Sequence, residues 1–311
     1  MDSTDEKTRK LIKLFARELF KAIDGGLERK KLDSFKRAAC ARLHLPNAPK
    51  NHVLLHLAPK AKRAAYKNVL MKTPVRSSSG VSVVAVMPEY FHCPGLCTYC
   101  PTSSIAPKSY TGFEPAALRA RHNGFNAFKQ VRSRLEQFVE NGHTPSKCEL
   151  IVMGGTFNAF LLKYQIEFVK DCFDAFNSKK SASLAAAQKL NEKSKHRVVG
   201  LTFETRPDWA SRKQVSQLLD FGATRIELGV QTLDDAVQKK TKRGHGIKET
   251  ISATANIKDA FLKVGYHVMP GLYSTKAKDA LMAKKLFSNP DLRPDMLKIY
   301  PTLVIAGTQL F

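Results

Sequence analysis

Residues 81–100 of the sequence read VSVVAVMPEYFHCPGLCTYC. A short apolar run, 81–87, is followed by three cysteines within eight residues, at Cys93, Cys97 and Cys100. Apolar runs of this length with little polar alternation are typical of strands in a parallel sheet that helices cover. Clustered cysteines in a reducing compartment are typical of metal ligands rather than disulfides. This stretch therefore predicts a buried first strand that leads into a metal-binding loop.

Five further strand-like segments follow the cysteine loop, at 148–155, 197–205, 224–231, 265–271 and 296–304. Helical sequence lies between the predicted strands, at 115–141, 161–176, 211–221 and 247–264. Alternating strands and helices imply parallel strands joined by right-handed crossovers. Six such units form either an open partial barrel or a doubly wound sheet. We predict an α/β fold with a six-stranded partial (β/α) barrel.

Each predicted strand ends in an unusual group of polar residues or glycines. In β/α barrels the carboxyl ends of the strands form the active site. The groups therefore predict an active site on one rim of the barrel. After the cysteine loop they are Gly154-Gly155-Thr156, Glu204-Thr205-Arg206-Pro207, Gly229-Val230-Gln231, Met269-Pro270-Gly271 and Tyr300-Pro301-Thr302.

The spacing C-x3-C-x2-C favours an iron–sulfur cluster. Three thiolates from one loop can bind three irons of a cubane and leave the fourth iron open to a substrate, whereas electron-transfer ferredoxins normally supply a fourth cysteine. The alternative is a zinc site completed by His92 or another residue, although zinc knuckles usually contain two separated C-x2-C pairs. We predict a 4Fe–4S cluster on Cys93, Cys97 and Cys100.

The composition indicates a polyanion-binding protein. Lys and Arg number 51 against 27 Asp and Glu, a net charge of +24. Such a field concentrates nucleic acid; a generally basic proteome is the alternative explanation. No apolar run reaches the roughly 18 residues of a membrane span, and the acidic start MDSTDEKTRK is unlike a signal or transit peptide. We expect a cytosolic or nuclear protein in which Cys40, Cys148 and Cys172 are buried.

Residues 1–72 form a basic helical region ahead of the barrel domain, 73–311. Apolar residues recur at helical spacing over 11–23, and further helices are predicted over 30–45 and 60–72. A net charge of roughly +11 over residues 1–72 is an electrostatic footprint of nucleic-acid binding. The predicted RNA contacts are Arg29, Lys30, Lys31, Lys36, Arg37, Lys60, Lys62, Arg63 and Lys67.

A C-x3-C-x2-C loop after the first strand of a β/α barrel is the signature of radical S-adenosylmethionine (SAM) enzymes. The sequence also resembles the catalytic subunit of Elongator within that group, from about residue 70 to the end and more loosely through the N-terminal helices. The resemblance rests on strings in one order: PVRSSSGVSVVAVM, SYTGFEP, IVMGGTF, FETRPDW, TRIELGVQT, KRGHG and LRPDMLKIYPTLVIAGT.

The resemblance implies a fold of the radical SAM type and a tRNA-modifying activity. The family makes 5-carboxymethyluridine at the wobble position of tRNA, with acetyl-CoA as donor and a SAM-derived radical as the reactive species. Other Elongator subunits or a separate acetyltransferase-like domain are the expected protein partners. The implied SAM-binding residues are Tyr99, Gly154, Gly155, Glu204, Arg206 and Gln231, and the implied acetyl-CoA contact is Lys147.

Structural roles without a function in binding or catalysis also fit these residues at the level of sequence. Tyr99 fits a core aromatic residue, Glu204 with Arg206 fits a structural salt bridge, and Lys147 fits a solvated charge. Three departures from the family also matter. The acetyltransferase-like domain does not follow Phe311, the 269–280 loop MPGLYSTKAKDA differs, and Ala306 replaces an arginine. A tRNA-binding module with reduced catalysis and a structural cluster, and a different RNA-modifying radical SAM enzyme, are therefore the alternatives.

Overall fold

The computed structural model describes residues 6–70, 79–90 and 93–311, so His92, the alternative zinc ligand, lies outside the described residues. Two compact units divide the chain. One contains the described residues up to Gly80 together with Arg134–Pro145, and the other contains Val81–Ser133 and Ser146–Phe311.

The second unit is built on one six-stranded sheet. Every neighbouring pair of strands is parallel, and the spatial order follows the chain from the first strand to the sixth. A doubly wound sheet reverses its strand order at a switch point; this sheet does not, so the predicted partial barrel is confirmed. The strands are β1 (Val81–Val86), β2 (Lys147–Val152), β3 (Arg197–Thr205), β4 (Arg225–Gln231), β5 (Lys263–Val268) and β6 (Met296–Ile299).

Eight α-helices of the described residues follow β1 in the chain. The predicted helix over 115–141 is two helices, because Gly124 and Phe125 adopt positive φ angles of 57° and 55° between them. The predicted helix over 247–264 was too long, since β5 begins at Lys263. The helices are α5 (Pro115–His122), α6 (Ala127–Glu140), α7 (Leu162–Asn177), α8 (Leu184–Asn191), α9 (Arg212–Asp220), α10 (Asp235–Lys240), α11 (Ile247–Asp259) and α12 (Lys276–Ser288).

The core of the sheet contains buried residues from several neighbouring strands. Val84, Leu150 and Leu201 are paired across β1, β2 and β3, and all three are buried. Burial along β3 is uneven: its first four residues are partly or fully exposed, and its last five are buried. The polar residues that end β3 therefore lie inside the molecule, where an unpartnered polar group is costly.

The first unit packs helices around its own apolar core. The helices are α1 (Glu6–Asp24), α2 (Leu32–Arg42), α3 (Asn51–Leu57) and α4 (Arg63–Leu70). Phe15, Leu19 and Leu54 are fully buried. Tyr66 stacks on Phe20 with ring centroids 4.8 Å apart, and its hydroxyl donates to the Asp24 carboxylate. The apolar faces turn inward, so most of the Lys and Arg side chains lie on the outside.

No helix within the described part of the chain is both long enough and apolar enough to cross a bilayer.

The first prediction concerns the core. Leu150→Ala removes a fully buried side chain from β2, and we expect the free energy of unfolding to fall by about 2–5 kcal/mol because burial and packing are both lost. Trp209, the single tryptophan of the sequence, reports unfolding in a urea titration. Leu281→Ala is the control: Leu281 is 67% exposed on α12, and its loss should cost no more than about 0.5 kcal/mol. Equal losses would contradict the assigned core.

Candidate active site at the carboxyl edge of the sheet

The cysteine loop leaves the carboxyl end of β1 and is fixed by contacts to several other segments. The Cys93 Sγ lies 3.7 Å from Thr156 Oγ1 just beyond β2. The Cys97 Sγ accepts a hydrogen bond of 3.2 Å from the Arg243 guanidinium. The Cys100 Sγ lies 3.3 Å from the Ser109 hydroxyl. All three cysteines are free thiols, so they remain available as ligands.

Cys97 lies in a positive environment. A hydrogen bond with the Cys100 thiol, together with the guanidinium charges of Arg243 and Arg206, lowers the pKa of Cys97 to about 4, although burial acts in the opposite direction. The thiolate is the form that binds metal. By contrast, burial raises the pKa of Cys148 to about 12 and raises the pKa of Cys172 further. Cys97 therefore differs chemically from Cys148 and Cys172, whereas the hydrogen bond with Cys97 and burial raise the pKa of Cys100 above its usual range.

Gly154 and Gly155 form a tight turn after β2. Their φ angles are 117° and 75°, which side chains rarely adopt. A Cβ on Gly154 would lie 3.1 Å from Pro107 and 3.3 Å from Pro88. The Gly154 N–H points to the Glu204 Oε2 at 3.4 Å. The two glycines thus bring backbone donors close to the end of β3.

Glu204 and Arg206, at the end of β3, do not pair with each other, so the alternative interpretation of a structural salt bridge between them is wrong. Arg206 pairs with Asp208 through Nε and Nη2 at 2.9 and 2.8 Å. Glu204 Oε2 accepts from the Tyr110 hydroxyl at 3.1 Å. The buried atoms Glu204 Oε1 and Arg206 Nη1 lack a hydrogen-bond partner, as does Gln231 Oε1 at the end of β4.

A cavity of about 580 Å³ opens beside the cysteine loop. Its lining includes Gly95, Leu96, Arg206, Gln238 and His245. His245 is buried, and neither of its ring nitrogens has a hydrogen-bond partner. Burial and the nearby Arg243 charge lower the pKa of His245 to about 4. The ring is therefore neutral at physiological pH and can donate through one nitrogen and accept through the other.

Comparison of the sequence with models of known protein families shows which family the chain belongs to. The family model described as the Radical SAM superfamily matches residues 90–284, which contain the cysteine loop and the ends of β2 to β5. The chain belongs to the radical SAM superfamily. A second family model, the ELP3 N-terminal domain, matches residues 9–78.

Curated relatives match this chain beyond the residues that the radical SAM family model covers. The tRNA uridine(34) acetyltransferase of Methanocaldococcus infernus is 44% identical over 97% of this chain and 58% of its own length. Elongator complex protein 3 of Homo sapiens is 36% identical over 90% of this chain and 53% of its own length. The chain thus spans little more than half the length of these relatives. The predicted resemblance to the Elongator catalytic subunit is confirmed.

A solved structure agrees with the fold. It is described as the archaeal Methanocaldococcus infernus Elp3 with N-terminus deletion (1-46). Its TM-score against this chain is 0.64, with 45% sequence identity over 74% of this chain and 48% of that chain. The six-stranded partial barrel is therefore the radical SAM fold that the sequence predicts.

Radical SAM membership implies a 4Fe–4S cluster and SAM, and the residues present fit both groups. Three free thiols on one loop match a cluster with an open iron. The unpartnered atoms also match the polar groups of SAM. Glu204 Oε1 and Gln231 Oε1 can accept from an ammonium or a hydroxyl group, and Arg206 Nη1 can donate to a carboxylate. A bound ligand would offset the cost of burying these atoms unpaired.

Tyr99 lies within the cysteine loop, directly before Cys100. Its ring is buried with Cys97, Val237 and Leu272, and its hydroxyl has no hydrogen-bond partner. Burial raises the pKa of Tyr99 well above its usual range, so the phenol stays protonated. The structure therefore brings Tyr99 to the cysteines, and its predicted contact with the adenine of SAM stays a prediction.

Lys147 is far from this group. It begins β2 and pairs in register with Val81 and Arg197, at the amino edge of the sheet. The cysteine loop leaves the opposite, carboxyl edge, and five residues of strand separate the edges by about 16 Å. Lys147 is exposed. The structure does not bring it together with the SAM candidates, and its acetyl-CoA role stays a prediction.

Sequence reasoning missed an ionic group inside the barrel. Glu227 Oε2 accepts from His267 Nε2 at 2.9 Å and from the Lys298 ammonium. Burial would raise the pKa of Glu227, but the hydrogen bond from His267 and the charge and hydrogen bond of Lys298 lower it to about 2. Lys298 also lies 3.7 Å from Glu204 Oε1. The sequence feature that could have indicated this group is an ionisable residue within each of three apolar strands, namely Glu227, His267 and Lys298.

The same group has the geometry of a metal site. Ligand atoms of Glu204, Glu227 and His267 all lie within 4.8 Å of one another. The Lys298 ammonium, however, already donates to Glu227 and approaches Glu204. Lysine thus supplies the positive charge that a cation would bring, and we interpret the group as an ion-paired barrel floor.

The predicted RNA contacts divide into two kinds. Several are engaged within the first unit: Lys36 donates to the Pro49 carbonyl and Asn51, Lys62 pairs with Asp24, and Arg63 donates to two backbone carbonyls. Lys30 pairs with Glu28 at 2.8 Å. Arg37 donates weakly to Ser34. Arg29, Lys31 and Lys60 are exposed, whereas Lys67 is half-buried.

The second prediction concerns the cluster. Anaerobically reconstituted protein should bind about four irons and four sulfides per chain. Cys97→Ala removes the middle thiolate, and we expect iron content and the cluster's visible absorbance to be lost. Cys172→Ala is the control, because this buried cysteine lies on α7 outside the loop and should leave the iron content unchanged. Stoichiometric zinc that iron cannot displace would contradict the cluster assignment.

Proposed function

We propose that this chain is the radical SAM part of an enzyme that modifies carbon five of the wobble uridine in tRNA, with acetyl-CoA as donor. The observation that supports this best is that three free thiols and three buried polar atoms without a hydrogen-bond partner lie at the carboxyl edge of the sheet, one of which, Glu204 Oε1, also forms a 3.7 Å ion pair with Lys298. This arrangement supports binding of a cluster and of a ligand with the polar groups of SAM. The relatives' names support the choice of tRNA as substrate.

The chemistry divides between cofactors and protein. When bound, the cluster and SAM supply the one-electron chemistry that removes hydrogen from an unactivated carbon. The protein's own residues bind and orient. We assign Glu204 and Gln231 to the ammonium and hydroxyl donors of SAM, and Arg206 to its carboxylate. Gly154 and Gly155 allow close backbone approach, and the Tyr99 ring faces the adenine.

Water exclusion is the second task of the protein. Glu204 is 7% exposed and Arg206 is 4% exposed. The Lys298–Glu227–His267 group lies beside Glu204, since Glu227 is the register partner of Glu204 on the neighbouring strand. A reactive radical is protected from side reactions when solvent is excluded from its site. The buried position of these residues supports such a role.

Acetyl-CoA binding requires more than Lys147. An exposed lysine contributes at most about 1 kcal/mol through its charge, whereas micromolar affinity requires roughly 8 kcal/mol. We propose that an acetyltransferase-like domain provides the remaining contacts. Other Elongator subunits are the further partners that the relatives' name suggests.

Two other functions are distinguishable from this proposal. The altered 269–280 loop and Ala306 favour a tRNA-binding module with reduced catalysis, in which the cluster is structural. The second candidate is a radical SAM enzyme that makes another RNA modification. Cleavage of SAM separates the first candidate from the proposal, and the identity of the modified nucleoside separates the second.

The third prediction concerns the product. Residues 1–311, incubated without oxygen with SAM, reductant, acetyl-CoA and tRNA, should release 5′-deoxyadenosine slowly and give little modified uridine. Adding an acetyltransferase-like domain should restore 5-carboxymethyluridine, measured by nucleoside mass spectrometry. Cys97→Ala should abolish both products. Absence of SAM cleavage by a fully loaded cluster would favour the tRNA-binding module. Abundant 5-carboxymethyluridine from residues 1–311 alone would show that no second domain is needed.

The fourth prediction concerns tRNA. Lys31 and Lys60 are exposed in the first unit, and we propose that each neutralises a phosphate. Replacing both with alanine should weaken tRNA binding and reduce the slope of log affinity against log salt by about two, because fewer counterions are released. Lys284 and Lys285 are exposed on α12, and their double alanine variant is the charge-matched control. Equal effects of the two double variants would exclude a specific role for the first unit.

A further inference from the structure

Arg243 is the cationic group that the sequence reasoning left without a role. It lies in the KRGHG string after α10 and is 6% exposed. One guanidinium nitrogen, Nη1, donates to Cys97 Sγ at 3.2 Å, and the other, Nη2, donates to the Gly229 carbonyl at the end of β4. Arg243 therefore connects the cysteine loop directly to the sheet.

The charge of Arg243 has no carboxylate partner among the residues described. Arg206, its neighbour, is neutralised by Asp208 in a two-point pair. A buried guanidinium without a counter-ion is costly, and proteins normally pair such charges. The anionic atoms available to Arg243 are the sulfurs of the cysteine loop. A cluster held by three thiolates would supply the missing negative charge.

Three glycines make room for the two guanidinium groups. A Cβ on Gly229 would lie 2.5 Å from Arg243 Nη2, and a Cβ on Gly244 would lie 2.9 Å from Arg206 Nη2. A Cβ on Gly95, between the first two cysteines, would overlap Arg206 Nη1. Arg206 Nη2 also donates to the Arg243 carbonyl at 2.7 Å. The backbone is thus shaped to hold both charges against the loop.

We propose that Arg243 is the counter-ion of the cluster: a positioning residue that orients Cys97 and stabilises the reduced state. Reduction adds a negative charge to the cluster, and a fixed positive charge in a buried site stabilises the reduced cluster. Hydrogen bonds to the sulfurs and the surrounding charge are the protein's means of setting a cluster's potential. This inference rests on the proposed cluster at Cys93, Cys97 and Cys100.

The test is an EPR-monitored redox titration of the reconstituted cluster. SAM is left out, so that a change in SAM binding cannot alter the measured midpoint potential. In Arg243→Gln the midpoint potential should become more negative. We expect at least a tenfold lower ratio of reduced to oxidised cluster at a fixed potential, which is ~59 mV for one electron. Arg243→Lys keeps the charge but loses the two-nitrogen geometry, and its shift should be smaller.

A matched control removes a neighbouring charge that is solvated. Lys242 is exposed, and its ammonium donates to the Gln309 side chain. Lys242→Gln should leave the potential unchanged, because water and salt screen its charge. An equal shift in Lys242→Gln and Arg243→Gln would overturn the specific role of Arg243.

Gly229→Ala is a second test variant, for the case in which Arg243→Gln does not bind iron. It displaces the guanidinium while retaining its charge, and we expect a negative shift smaller than that of Arg243→Gln. Unchanged potentials in variants that bind four irons would overturn the inference. Equal loss of iron in Arg243→Lys and Arg243→Gln would overturn the role of the charge. Failure of the wild-type chain to bind iron would instead reject the proposed function.

Discussion

The rest of the structure depends on the uniform parallel hydrogen bonding of the six strands. Because each strand pairs in parallel with the next one in the chain, all six carboxyl ends lie along one edge. Loops that are separated by more than a hundred residues in sequence, such as those containing Cys97 and Arg243, meet at that edge. The crossover helices occupy the remaining sequence and cover the strands. A site assembled in this way can gather thiols, carboxylates and guanidinium groups from segments that lie far apart in the sequence.

Burial of charge is the second constraint on this edge. Glu227, Arg206 and Arg243 are each less than a tenth exposed. The Glu227 carboxylate is compensated by His267 and Lys298, and Arg206 is compensated by Asp208. Arg243 donates to the Cys97 sulfur and to the Gly229 carbonyl. Glu227 and Arg206 are thus neutralised by neighbouring side chains, whereas the charge of Arg243 is not neutralised by a carboxylate of the described residues.

Much of the fold was predictable, because strand and helix periodicities are local. The six strands were predicted within a few residues of their observed positions. Short helices such as α8 and α10 were missed, since so few residues give little periodic signal. The break between α5 and α6 was also missed, although the dipeptide Asn123-Gly124 is a turn signal in the sequence and Gly124 and Phe125 adopt positive φ angles there. The choice of a partial barrel over a doubly wound sheet required the strand order, which is a property of non-local pairing.

The sequence by itself determined the spacing of Cys93, Cys97 and Cys100, the glycines after β2 and the charge of the N-terminal helices, since each is a contiguous pattern with a local physical meaning. Only the tertiary structure decided which polar atoms stay unpartnered, that Arg206 pairs with Asp208 rather than Glu204, and that Lys147 lies on the opposite edge. It also brought Arg243 to Cys97 across 146 positions of sequence. Such contacts depend on how strands register and pack, and no local pattern encodes them.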